Sequence, residues 1–239
     1  MDNVNLTDLK TFRENLSRFM LSYKFAIKEI ETKINILNDE FKFIHEYNPI
    51  EHVSTRVKSP QSILNKVLKK GLSPSFKEMK ENIRDIAGVR ITCSFIEDIY
   101  KVCDLIESQH DITVIEIKDY IKKPKPNGYQ SLHLIVQVPI FMSDRIENVC
   151  VEIQLRTIAM DFWASLEHKI YYKYNKKIPK HIGDGLKEAA LQAALLDRKM
   201  EQINHEINIL KEQDNKDDDY LTSEQIKKYL QFLSFSETE

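Results

Sequence analysis

Four segments of the chain alternate apolar and polar side chains with a period of two, and this pattern restricts the fold more than any other feature. In the first, Val89, Ile91, Cys93 and Phe95 alternate with Arg90, Thr92 and Ser94. The second, Thr113 to Tyr120, sets Ile115 and Ile117 against Glu116 and Lys118. In the third, Leu132, Leu134, Val136 and Val138 alternate with Ser131, His133, Ile135 and Gln137. In the fourth, Val149, Val151, Ile153 and Leu155 alternate with Glu152, Gln154 and Arg156. Each strand keeps one apolar face for helices and one polar face. Together the polar faces carry Arg90, Glu116, Lys118, His133, Glu152, Gln154 and Arg156, and so many ionisable groups at strand centres fit a concave polar site better than a solvated sheet surface.

Helical periodicity surrounds these strands. Phe12, Leu16, Phe19, Tyr23, Ile27, Ile30, Ile34, Leu37 and Phe41 recur every three or four residues and predict a long amphipathic helix. Ser59-Pro60 starts a short helix that carries Lys66, Lys69 and Lys70 and ends at Gly71. Further helices are expected over Ser75 to Ile83, Glu97 to Ser108 and from Asp161. In the last of these Phe162, Leu166 and Ile170 are expected to face inward, with Trp163 and His168 as packing residues. After Asp184, Leu186, Ala189, Ala193, Leu196, Met200, Ile203, Ile207 and Leu210 alternate three and four apart, as in a coiled coil. NKDDD reads as an exposed linker, and Thr222 with Gln225 resembles a capping box for a last short helix. The expected organisation is a helical segment over 1–48, a core over 49–175 and a C-terminal helical segment over 176–239.

The stretch Glu116 to Val136 crosses from one strand to the next through a basic loop. Pro124 and Pro126 hold Lys122, Lys123 and Lys125 on an extended backbone, Asn127-Gly128 supplies a turn, and Tyr129 follows. Lysines beside an aromatic ring suit a nucleotide, whose phosphates need cations and whose base needs a flat surface. A formal net charge of -2 argues against a chain that coats nucleic acid through bulk charge, so a basic site has to be local. No apolar run reaches membrane-spanning length and MDNVNLTDLK is too polar for a signal peptide, so a cytoplasmic protein without membrane contact is expected. Cys93, Cys103 and Cys150 are odd in number and widely spaced, as free thiols would be. Neither GxxxxGK[ST] nor GxGxxG occurs, which argues against P-loop and Rossmann nucleotide sites. His110-Asp111 reads as the start of a strand.

RDIAGVRI, KPKPNGYQSLH, VEIQLRT and MDFWASLEHKIYYKY, in that order, resemble the synthetase domain of the RelA/SpoT family, in detail over 49–175, and the chain length is similar to that of the small alarmone synthetases. The resemblance implies an α+β, nucleotidyltransferase-like synthetase fold: a mixed, mostly antiparallel sheet with helices packed on one face and long N- and C-terminal flanking helices. It implies a pyrophosphokinase that moves the β,γ-pyrophosphate of ATP to the ribose 3′-hydroxyl of GTP or GDP, releasing AMP and making (p)ppGpp, with synthesis only. Arg56 and Arg90 would flank adenine, and Lys58, Ser62 and Lys66 would hold the ATP phosphates. Asp85 and Glu152 would meet at Mg²⁺, and Glu152 would also activate the attacking hydroxyl. Tyr129 would stack on guanine, Lys125 and His133 would contact acceptor phosphates, and Gln154 and Asp161 would complete the acceptor site.

Two departures are visible. The tetrad before the loop, RxKD or ExDD in long relatives, is Glu116-Ile117-Lys118-Asp119 here, so preference between GDP and GTP does not carry over. Asp161 stands where some small relatives have Asn. The resemblance further implies a homotetramer; in some relatives a regulatory nucleotide binds between subunits through lysines of the first helix and a Phe, but the counterparts here are Glu31, Asn35 and His52, so product activation does not carry over. Two rivals remain: a module binding single-stranded RNA through the basic loop, which the acidic pair Asp85 and Glu152 disfavours, and a nucleotidyltransferase that releases pyrophosphate instead of AMP.

Overall fold

In the computed structural model, which describes residues 6–173, 178–218 and 227, alternating segments become strands and three-four segments become helices. The order is α1 (Leu6–Ile44), β1 (Ile50–Val57), α2 (Pro60–Lys69), α3 (Phe76–Asn82), β2 (Ala87–Cys93), α4 (Ile96–Glu107), β3 (Thr113–Asp119), β4 (Leu132–Phe141), β5 (Ile146–Thr157), α5 (Ile158–Lys173) and α6 (Lys180–Asp218). The described strands form one sheet in the order β1-β2-β5-β4-β3. Only the β2–β5 pair is parallel, and the other three pairings are antiparallel. This is the mixed, mostly antiparallel α+β sheet expected.

One face of the sheet is apolar. Val89, Ile91, Leu134, Val136, Val151, Ile153 and Leu155 are buried there with Tyr23, Ile27, Ile30 and Ile34 of α1, Ile63 and Val67 of α2, and Ile99 and Val102 of α4. Each fully buried aliphatic side chain contributes about 1.5–3 kcal/mol, and this shared core fixes which side of every strand faces away from the helices.

Residues through Asp197 form one compact unit and those from Arg198 a second. In the first, a small cluster of Trp163, Ala164 and Ala190 gathers Tyr129, Leu186 and Ala193 around it. In the second, Met200, Ile203, Ile207 and Leu210 of α6 are exposed.

Several expectations need correction. A fifth strand, β1, had no counterpart in the sequence reading; it is an exposed edge strand whose register shifts between Ile50 and His52, so it shows no clean alternation. Ile115 and Ile117 are exposed on β3, the other edge, beside an irregularity between Val114 and Glu116. α5 leaves Phe162, Leu166 and Ile170 exposed, against the expected inward face, and buries Met160 and Ala164; Trp163 packs as expected, but His168 is exposed. α6 begins at Lys180, before Asp184, and Asn215 to Asp218 continue it where a linker was expected. His110 and Asp111 form a turn before β3, with Asp111 paired to Lys33 of α1 at 2.7 Å. The three thiols are free, Cys93 and Cys103 buried and Cys150 half-buried. Thr222 and Gln225 lie outside the described residues.

Candidate active site

Register turns the polar face into an ordered array. Arg56 of β1 pairs with Gly88 of β2, Gly88 with Glu152 of β5, and Glu152 with Ile135 of β4. One step along, Ser54, Arg90, Gln154, His133 and Lys118 form a second row across all five strands. Arg156, opposite Thr92, stands in a third. Glu152 is therefore at the middle of the sheet, with cations on both sides.

On one side lies a cleft of about 390 Å³ lined by Lys66, Lys70, Arg84, Asp85, Glu116, Lys118 and Glu152 among others. Ser59 caps α2, its side chain accepting from the Ser62 N–H, and Pro60 begins the helix. Ser62 is exposed, its hydroxyl 2.9 Å from that of Ser59. Lys58 and Lys66 both donate to Asp85 Oδ2, at 2.9 and 2.5 Å. Burial favours the neutral form of Asp85, but these lysines outweigh it and hold the carboxyl below its ordinary value. Asp85 Oδ1 is buried and has no hydrogen-bond partner. A bare carboxylate oxygen sharing a cleft with Glu152 suits a hard divalent cation, which takes oxygen ligands.

Beside that cleft, Ser54, Thr55, Arg56, Gly88, Val89, Arg90 and Gln154 line a slot of about 190 Å³. A Cβ on Gly88 would come within 3.4 Å of Arg56 Nε, so glycine keeps the slot's floor open between the two arginines. Two guanidinium groups lining one narrow slot suit a flat ring.

On the other side a ring of polar contacts runs through Arg156, which is 4% exposed. Arg156 Nη2 donates to Tyr129 Oη and to Gln154 Oε1, both at 2.9 Å. Tyr129 Oη lies 2.7 Å from His133 Nε2, and His133 Nδ1 lies 3.4 Å from Glu152 Oε1. Gln154 Nε2 donates to Glu152 Oε2 at 2.9 Å, which closes the ring. Burial again favours the neutral form of Glu152, and Asp85 adds to that, but His133 and Gln154 prevail and its carboxyl sits below the ordinary value. Such a group is an ionised acceptor at neutral pH.

The basic loop is held by its own turn and by two helices. Gly128 adopts a φ of 89°, and a Cβ there would lie 2.5 Å from the Cβ of Ala190 on α6, so only glycine makes this approach. Asn127 Nδ2 donates to Glu167 of α5 at 3.1 Å. Of the three loop lysines, Lys125 serves the site: its ammonium lies 4.5 Å from the Tyr120 ring centroid and 4.6 Å from that of Tyr129. Lys122 turns toward Tyr100 and Asp119 instead, and Lys123 is exposed.

The expected residues thus fall into two groups around Glu152: Arg56, Lys58, Ser62, Lys66, Asp85 and Arg90 on one side, and Lys125, Tyr129, His133, Gln154 and Asp161 on the other. Two participants had been given no role. Arg156 was visible only as a polar-face arginine, and Tyr120, edge-on to His133 with centroids 5.1 Å apart, only as the end of a strand.

An α+β sheet with helices on one face, and with paired carboxylates, lysines and an arginine slot on the other, fits the nucleotidyltransferase-like synthetase class that the sequence resemblance implies. Comparison with known proteins narrows the class. A family model described as the region found in RelA / SpoT proteins matches residues 55–177. The chain is 53% identical over 204 residues to GTP pyrophosphokinase YwaC of Bacillus subtilis, covering 85% of this chain and 97% of that one. Among solved structures, small alarmone synthetase 2 from Bacillus subtilis aligns with a TM-score of 0.74 and 51% identity, covering 80% of this chain and 99% of that chain. Small alarmone synthetase 1 from the same organism, bound to its product pppGpp, aligns with a TM-score of 0.76 and 36% identity, covering 81% and 98%. The chain belongs to the RelA/SpoT family.

Proposed function

We propose that the protein is a GTP pyrophosphokinase that makes (p)ppGpp. The observation that carries this is the position of Glu152, central on the polar face, with the lysine cleft and arginine slot on one side and the Tyr129 ring on the other. ATP lies with adenine between Arg56 and Arg90 and its phosphates toward Lys58, Ser62 and Lys66. The acceptor guanine stacks on Tyr129, with Asp161 at its edge and Lys125 and His133 toward its phosphates.

The acceptor's 3′-oxygen attacks the β-phosphorus of ATP, the bond from that phosphorus to the α,β-bridging oxygen breaks, and AMP leaves. Glu152 takes the hydroxyl proton. It is ionised for this task, and His133 and Gln154 fix the direction of its two oxygens. Lys58 and Lys66 offset charge on the transferred group, since phosphoryl-type transfer is mostly positioning and charge stabilisation. Asp85 and Glu152 would hold Mg²⁺, which would supply further charge neutralisation.

ATP labelled at the γ-phosphate, incubated with GTP or GDP and Mg²⁺, should yield AMP and labelled guanine nucleotide, and chelation should stop the reaction. Release of ADP or free pyrophosphate would overturn the assignment. We also propose a homo-oligomer, a tetramer by family likeness, because Leu191, Leu195 and Leu196, and separately Met200, Ile203 and Ile207, expose apolar stripes on α6. Light scattering at micromolar concentration reads this directly, a monomer being the contrary result. We also propose the cytoplasm as its compartment; no described helix is long and apolar enough to cross a membrane.

A further inference from the structure

The arginine slot and the tyrosine ring meet at one carboxylate. Asp161 stands in the first turn of α5, half-buried. Its Oδ1 accepts from Arg156 Nη1 at 2.9 Å and lies 3.2 Å from Arg90 Nη1. Arg90 is a wall of the slot, and Arg156 is the hub that holds Tyr129 and Gln154. Both contacts fall on the same oxygen. Burial, and then the charges of Arg156 and Arg56, lower the pKa of Arg90, while Asp161 opposes them. Asp161 is therefore the counter-ion between two like charges that belong to different halves of the site.

We propose that Asp161 is a positioning residue that couples the two nucleotide sites, so that a ring stacked on Arg90 strengthens binding of a base on Tyr129. The inference rests on the assignment of ATP to the slot and the guanine nucleotide to the ring. Arginine has many rotamers, and a base stacked on its face immobilises Arg90 with its edge on Asp161. Asp161, held from that side, stiffens its contact with Arg156 and through it the set of hydrogen bonds that Arg156 already makes with Tyr129. The second ligand then meets side chains that the first has already ordered, which is positive coupling without a change of fold. Reciprocity requires the effect to run both ways with the same factor.

The test is calorimetric titration of GDP into the full chain with Mg²⁺, with and without a saturating ATP analogue carrying an α,β-methylene bridge. In the wild type the analogue should tighten GDP by about fivefold or more, the lower end of ordinary site-to-site coupling. Asp161→Ala should bring that factor close to one while the analogue still binds. Asp161→Asn, which keeps the shape and an accepting oxygen but not the charge, should fall between. A purely structural role would weaken both ligands and leave their ratio unchanged. A wild-type factor of one, or full coupling retained in Asp161→Ala, overturns the proposal and leaves the functional assignment standing. Failure of the wild type to bind either nucleotide overturns the functional assignment instead.

Discussion

The lysine cleft and the tyrosine ring are both made of charged and polar side chains, yet they are built in different ways. In the cleft, two lysines on flexible stems converge on one oxygen of Asp85 from β1's end and from α2, and the other oxygen has no partner. In the ring, Arg156, Tyr129, His133, Glu152 and Gln154 occupy one another, three of them projecting from a single strand. The difference matches the task. A triphosphate is a diffuse anion that point charges satisfy in many geometries, whereas a base edge and an attacking hydroxyl need donors and acceptors at fixed positions.

Substitution can break this contrast, and the largest effect is expected at Glu152, the one member of the ring that also lines the cleft. Glu152→Gln keeps the shape and a hydrogen bond but removes the charge, so turnover should fall by about two orders of magnitude or more with the melting temperature little changed. Near-normal turnover would make this carboxylate structural. Its pH dependence follows the same logic. Asp85 and Glu152 both have folded-state pKa values below their ordinary 3.8 and 4.5, so the stability they contribute is present above those values and is lost as pH falls through the depressed folded ones. An acid limb of the rate profile above the ordinary carboxylate range would contradict this assignment.

A smaller loss, about 10- to 100-fold, is expected for Asp85→Asn, together with a rise in the Mg²⁺ concentration needed for half-maximal rate. An unchanged Mg²⁺ requirement would remove Asp85 from the metal site. Tyr129→Ala should weaken acceptor use by about 1–3 kcal/mol through lost stacking and leave ATP binding much less affected. Tyr129→Phe keeps the ring face and loses only the hydroxyl's contacts with Arg156 and His133, about 0.5–1.5 kcal/mol, and it is the finest probe of whether the closed ring matters. Equal effects of these two changes on ATP and acceptor would show that the halves are not distinct.

What could be read from the sequence was what repeats. β2, β4 and β5 alternate cleanly because one face is buried against helices and the other carries chemistry, and α1 shows its stripe because the core demands it. β1 escaped because an edge strand with a register shift need not alternate, although Arg56 on it had been singled out. α5 misled because its large apolar residues lie outward while small Ala164 and a Trp whose indole N–H donates to Leu186 O pack inward. The first turns of α6 went unread because the apolar stripe begins only at Leu186, and Gly183 and Gly185 are weak helix formers. Arg156 had its place on the polar face but not its role, since three hydrogen-bond partners from three segments converge on it only in the folded chain.

The central strand also determines whether the protein can become an enzyme. β1 with β2, and β3 with β4, are antiparallel pairs of nearby sequence, but β5 inserts between β2 and β4 and comes last of the five along the chain. Without β5, therefore, β2 and β4 would each lack the neighbour that joins the two pairs into one sheet. Glu152, Gln154 and Arg156 lie on the strand that joins the pairs. A chain truncated before β5 would lack both the strand that joins the core and Glu152, so one strand serves the sheet and the chemistry alike.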